Sequence, residues 1–119
     1  MRSELRLRRN KEFQTVFREG RGWTNRLLVL RARPNGCEST RIGLITSRRI
    51  GNAVIRNKTR RRLREILKSI QIEVGWDLVL IVRKNKLTSE YNQLKLAVQD
   101  VLSRSNLTQR AFFAGSGNI

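Results

Sequence analysis

The chain has 119 residues, of which 26 are Lys or Arg and 9 are Asp or Glu, for a formal net charge of +17. That length supports one domain burying roughly 65% of its unfolded surface and is too short to argue for two; the charge makes the fold repel itself unless a polyanion or wide spacing relieves it. With no histidine and one cysteine, Cys37, both an internal disulfide and a Cys/His zinc cluster are excluded.

Twenty of the 26 basic residues are Arg. Arginine grips phosphate through a planar fork and stacks on bases, so the bias points to nucleic acid before mere solubility. A membrane surface fits poorly, because the longest basic segment carries Leu and Ile rather than bulky aromatics on its apolar side. The N-terminal stretch has no apolar run of signal-peptide length, and Leu78 to Val82, the longest apolar run, is far short of a bilayer span. A cytoplasmic protein is expected, with Cys37 an ordinary loop thiol.

In chain order, Leu7 to Arg18 reads as a short helix, with Phe13, Val16 and Phe17 on one face and Gly20 as its stop. Arg26 to Arg33 and Arg41 to Thr46 read as two strands of a hairpin, joined by a loop opening with Pro34, Asn35 and Gly36. Asn52 caps a helix from about Ala53 to Ile70. Gly75 and Trp76 lead into Asp77 to Arg83, apolar enough for a central strand covered on both faces. Thr88 or Ser89 caps a last helix whose Tyr91, Leu94, Val98, Val101 and Leu102 form a stripe against the sheet. The order is αββαβα, a single domain over residues 1–102 followed by a flexible tail, 103–119, in which Phe112 and Phe113 offer an anchor. Trp23 and Trp76 are assigned to packing at element ends, and Asp77 to pairing with a nearby Arg.

The helix after Asn52 has two faces. At 100° per residue, Ile55, Thr59, Leu63, Ile66, Leu67 and Ile70 share an arc directed at the core. Asn57, Arg60, Arg61, Arg64 and Lys68 share another with no acidic residue among them. A solvated charged face would alternate signs, yet from Ser39 through Arg64 there are nine basic residues and no Asp or Glu. Polyanion binding explains the grouping better.

These residues carry a resemblance. Arg56-Asn57-x-x-Arg60-Arg61-x-x-Arg64, preceded by Ser47-Arg48-Arg49-Ile50-Gly51-Asn52-Ala53-Val54, resembles the signature of the bacterial ribonuclease P protein component, the small basic subunit of the ribonucleoprotein that matures the 5′ end of transfer RNA. It continues in Lys11-x-Phe13-Gln14-x-Val16-Phe17-x-x-Gly20, Asn25-Arg26, Arg41-Ile42-Gly43-Leu44 and Trp76-Asp77-Leu78-Val79 with Arg83, spanning about Leu7 to Leu102. The family commonly has Lys where this chain has Arg48, Arg49 and Arg60, and often an aromatic at Arg31.

The resemblance implies an α+β two-layer domain with a left-handed βαβ crossover, similar to the second domain of a small-subunit ribosomal protein, against the right-handed rule that physics alone predicts. It implies that Arg56, Asn57, Arg60, Arg61, Arg64 and Lys68 dock on the catalytic RNA. It also implies that a cleft of the first helix and the sheet holds the single-stranded leader of precursor transfer RNA, with Phe13, Phe17, Asn25, Arg26, Arg31, Arg48 and Arg49 as candidates. Basic grooves with aromatic platforms suit single strands, and a phosphate suits the helix start behind Arg48 and Arg49. The chain offers no His and scatters its carboxylates, so no catalytic residue and no bound metal are expected in the protein. The resemblance puts the magnesium ions on the RNA subunit, in a one-to-one complex. Two rival readings are a ribosomal-type protein that only neutralises folded RNA, and a duplex DNA binder using the basic helix.

Overall fold

The computed structural model describes residues 6–108. Their elements are α1 (Asn10–Glu19), β1 (Arg21–Thr24), β2 (Leu28–Pro34), β3 (Arg41–Ile45), α2 (Ala53–Lys68), β4 (Trp76–Val82) and α3 (Tyr91–Arg104), with short 3-10 turns at Arg48–Ile50 and Lys86–Ser89. The strands form one sheet in the order β1-β2-β4-β3, antiparallel except for the β3–β4 pair.

That order overturns the hairpin expected between β2 and β3. A strand apolar on both faces is stable only between two neighbours, and β4, with Leu78, Val79, Leu80 and Val82 all buried, takes the place between them. The hairpin partner of β2 is instead β1, unread in the sequence because its RGWT offers a single large apolar residue. Parallel β3 and β4 are joined by α2, as parallel strands require a long connection.

Side-chain alternation gives the sheet two different faces. Leu28, Leu30 and Ala32 of β2, Ile42 of β3, and Leu78, Leu80 and Val82 of β4 pack with Leu63, Ile66 and Leu67 of α2 and with Leu94, Ala97, Val98, Val101 and Leu102 of α3. On the other face a smaller cluster joins Leu7, Val16 and Val79, with Phe13, Ile45 and Ile81 against it. The α+β class therefore stands, with α1 adding a partial layer. Trp23 and Trp76 sit half-buried against the main core, as packing residues do.

The element ends have physical explanations. α1 starts at Asn10 rather than Leu7 because the N–H of Leu7 donates to the Ile42 carbonyl at 3.1 Å, drawing Arg6 and Leu7 alongside β3. Glu12 holds the start of α1, its Oε1 accepting the N–H groups of Arg8 and Arg9 at 2.8 and 3.0 Å. α2 begins as expected: Asn52 Oδ1 accepts the N–H of Ile55 at 3.0 Å. It ends at Lys68, not Ile70, and Ile55, expected in the core, is 43% exposed. Thr88 and Ser89 do not cap α3; the Thr88 hydroxyl donates to the Arg83 carbonyl at 3.0 Å and helps close the 3-10 turn before the helix.

The packed unit also outruns residue 102. Asn106 takes a positive φ of 61° to turn the chain after α3, Leu107 is buried in the main core, and Thr108 bridges Ile72. The suggested aromatic anchor at Phe112 and Phe113 lies outside the described residues. Among those described, no helix is long and apolar enough to cross a membrane.

Candidate RNA interface

On the α1 side of the sheet the register sets three cross-strand rows: Arg33–Asp77–Arg41, Arg31–Val79–Gly43 and Val29–Ile81–Ile45. The first is a clamp. Buried Asp77 accepts from Arg41 Nε at 2.9 Å, Arg41 Nη2 at 2.8 Å and Asn35 Nδ2 at 2.9 Å, and Arg33 Nη1 lies 3.6 Å from it. The same two arginines reach up to α1: Arg41 Nη1 to Glu12 Oε2 at 2.9 Å and Arg33 Nε to Glu19 Oε1 at 3.2 Å. Both ends of α1 are thus tied to one carboxylate below. The hydrogen bonds to Asp77 raise the Arg41 pKa despite burial. The N–H groups of Arg9 and Arg8, with Arg41 beside them, hold the Glu12 carboxyl below the usual glutamate range. The pairing foreseen for Asp77 is present.

In the second row Gly43 makes room for an aromatic. A Cβ built there would lie 2.4 Å from Phe13 Cε1, so the ring can rest on the strand only because the side chain is missing. Val16 is fully buried, Phe13 is half-buried, and Phe17, one turn further along α1, is 38% exposed. The third row, Val29, Ile81 and Ile45, is only half-buried, leaving a shallow apolar trough beside the two rings. Because β3 and β4 run parallel and β2 antiparallel to them, the trough opens at the end of the sheet where Arg26, Arg48, Arg49, Arg83 and Lys84 follow or precede the strands. All five are exposed. Arg48 and Arg49 sit in a 3-10 turn rather than on the strand end.

Two of the expected cleft residues have other work. Asn25 Oδ1 accepts the N–H groups of Leu27 and Leu28 at 3.0 and 2.9 Å, while Nδ2 donates to the Ala97 carbonyl and Asp100 Oδ2, each at 3.0 Å. Its amide is fully engaged in the β1–β2 turn and in tying that turn to α3. Arg31 Nη2 donates to the carbonyls of Phe17 at 2.6 Å and Gly20 at 2.9 Å, fastening the end of α1 to β2. It supports the rim of the trough more than it faces a ligand. Lys84 joins this end of the sheet without a motif to mark it; its place two residues after a parallel strand is the signal the sequence offers.

On α2 the predicted ridge is present. Asn57, Arg61 and Lys68 are exposed, and Arg56, Arg60 and Arg64 half-buried along the flank facing β3. Arg60 Nη1 donates to Thr46 Oγ1 at 2.5 Å and Nη2 to Asn57 Oδ1. Among the described residues no carboxylate pairs with any of the ridge cations. Burial pushes the Arg64 guanidinium down, and repulsion from Arg60 and from Arg6 on the neighbouring N-terminal segment adds to it. The Nε groups of Arg6, Arg56 and Arg64 are buried without a protein acceptor. An unsatisfied buried donor costs about 1–3 kcal/mol, so the flank is arranged to gain from an incoming anion. Arg6 is the member of this cluster that the sequence alone did not reveal.

A sheet with a ring-edged trough on one face, and an unpaired arginine ridge beside the other, defines a small α+β RNA-binding protein. The comparisons place it more narrowly: the Ribonuclease P family model matches residues 1–106, and the chain belongs to that family of transfer-RNA-processing proteins. It is 40% identical over 114 residues to the ribonuclease P protein component of Roseiflexus castenholzii, covering 93% of each chain, and 37% identical over 114 residues to that of Bacillus cereus, covering 90% of this chain and 96% of the other. Among solved structures it resembles the RNase P protein of Staphylococcus aureus, with a TM-score of 0.77, 28% identity, and coverage of 87% and 96%. That of Thermotoga maritima superposes with a TM-score of 0.73 at 34% identity, covering 83% and 96%.

Proposed function

We propose that the chain is the cytoplasmic protein subunit of ribonuclease P, pairing one-to-one with the catalytic RNA through the α2 ridge and holding the 5′ leader of precursor transfer RNA in the trough between α1 and the sheet. The single observation that carries the leader assignment is the exposed Phe17 ring beside half-buried Phe13, over a half-buried apolar row that ends in Arg26, Arg48 and Arg49. Rings accept bases of any sequence and the guanidinium groups accept the backbone, which suits a leader whose sequence varies. The ridge suits a folded RNA, since Arg56, Arg60, Arg61 and Arg64 present forks rather than a hydrophobic contact surface.

In this reading the protein performs no bond cleavage. Among the described residues no group of three metal-ligating side chains comes together, and Asp77 is occupied by Arg41, Arg33 and Asn35. Asp77 is thus committed to the clamp, and the reading assigns the ions that activate water to the RNA subunit. The protein contributes binding of the leader and neutralisation of phosphate charge.

The test compares Phe17→Ala with wild type in complex with a bacterial ribonuclease P RNA. Loss of a stacking platform weakens binding of precursor transfer RNA by about 1–3 kcal/mol while mature transfer RNA binds unchanged. Equal losses for both substrates would identify a ribosomal-type RNA scaffold instead.

A further inference from the structure

α2 has a second basic flank that the ridge does not use. Lys58 and Arg62 lie on the side of the helix roughly opposite Arg60 and Arg64. They face Lys84 and Lys86 of the segment after β4 across a groove of about 420 Å³ whose wall includes Ile50 and Ile55. Among its lining residues there is no Asp or Glu. The groove is built rather than incidental: Arg62 Nη1 donates to the Ser89 carbonyl at 2.5 Å, Asn85 Oδ1 accepts the N–H of Leu87 at 2.9 Å, and the Thr88 hydroxyl holds the Arg83 carbonyl. It also accounts for Ile55, a large apolar side chain on the apolar arc of α2 that remains 43% exposed.

The position of the groove says what occupies it. Ile50 closes the 3-10 turn that carries Arg48 and Arg49, and Lys84 lies two residues past the end of β4, so the groove begins where the trough ends. An apolar wall under a rim of four cations matches a base with phosphates on either side. We propose that this groove takes the distal nucleotides of the same single-stranded leader, which passes from the trough across Arg48 and Arg49 and around the end of the sheet. The inference rests on the trough being the leader site and extends it to a longer footprint. A segment of the catalytic RNA is the competing occupant, and it is disfavoured because the ridge faces the opposite flank of α2.

The experiment uses the protein assembled with a bacterial ribonuclease P RNA and precursor transfer RNAs carrying either a short leader that ends within the trough or one of twice that length. The double variant Lys58→Ala/Lys86→Ala alters side chains at the rim of the groove rather than in the trough or in either core cluster, so folding is preserved. Wild type binds the long-leader precursor about tenfold more tightly at low salt, and the double variant loses that gain while binding the short-leader precursor normally. Equal weakening of both precursors and of the catalytic RNA alone would assign the groove to the RNA subunit and overturn the inference. So would no change at either length, or no gain from the longer leader in wild type. Phe17→Ala in the same assay separates the two claims: if it fails to weaken the short-leader precursor, the trough reading falls, whereas an effect of Phe17→Ala without one of the double variant removes only the groove.

Discussion

Replacing Asp77 by Asn keeps the shape of the side chain and removes its charge from beneath two arginines. Asp77 is 1% exposed and receives both arms of the Arg41 fork, the Asn35 amide and the more distant Arg33. Breaking a fully buried pair costs about 3–5 kcal/mol because the partner charge is stranded. Here the side chains of Arg41 and Arg33 are 32% and 26% exposed and keep Glu12 and Glu19 as partners, so water and those carboxylates recover part of the loss. The expected destabilisation is about 2–3 kcal/mol, or a fall in Tm of roughly 10–20 °C for a domain of this size. Thermal unfolding followed by circular dichroism reads it directly, with Asp100→Asn, at an exposed pair with Arg104, as a control expected to lose under about 1 kcal/mol. Since Arg41 and Arg33 also carry both ends of α1, the variant should favour precursor over mature transfer RNA less strongly even at temperatures where it is folded. A Tm within about 3 °C of wild type would refute the clamp, because a stranded guanidinium cannot be that cheap.

Gly43→Val forces Phe13 off the strand, and a loss of about 1–3 kcal/mol in stability by denaturant titration is expected, together with weaker precursor binding. Glu12→Gln removes a carboxylate whose pKa is lowered in the fold; that stabilisation is fully present above the ordinary glutamate range and disappears as pH falls through the depressed value, so melts should show the variant less stable than wild type at neutral pH and converging with it in acid. Arg60→Ala/Arg61→Ala should weaken association with the catalytic RNA and flatten its salt dependence by about one unit for each phosphate that is no longer neutralised, measured by filter binding across ionic strength. Asn25→Ala should cost about 2–3 kcal/mol of stability by thermal melt and leave the preference for precursor intact, because its amide serves the β1–β2 turn and α3.

The α2 ridge was legible in the sequence because helical spacing converts a run of arginines into a surface without any knowledge of the fold, and Asn52 marked where the spacing starts. β4 was legible for the opposite reason, since an apolar run without alternation has few places to go. What it displaced was not: strand order depends on which neighbours β4 recruits, and no residue within Arg26 to Arg33 or Arg41 to Thr46 records that the two are kept apart. Phe13 and Phe17 could be placed on one face of α1, but their unequal burial depends on Gly43, which lies thirty residues away from Phe13 in the chain. The internal engagement of Asn25 and Arg31 is hidden from the sequence for a related reason. Residue type advertises hydrogen-bonding capacity, and only tertiary contacts reveal that the capacity is already used by Leu27, Leu28, Ala97 and Asp100 in one case and by Phe17 and Gly20 in the other.

β3 connects the proposed RNA surfaces. Its first residue, Arg41, ties down α1; its third, Gly43, seats Phe13; and Thr46, just past its end, accepts from Arg60 of the ridge. The strand is short, and its inner neighbour β4 is held on both sides, so β3 cannot shift without moving the trough and the ridge together. In the proposed function, a strand shared in this way would set the distance between leader and RNA subunit, and misplacement by about an ångström is costly to any reaction that depends on orientation. On that reading, the protein would then affect where cleavage falls by holding the leader at a set distance from the RNA subunit.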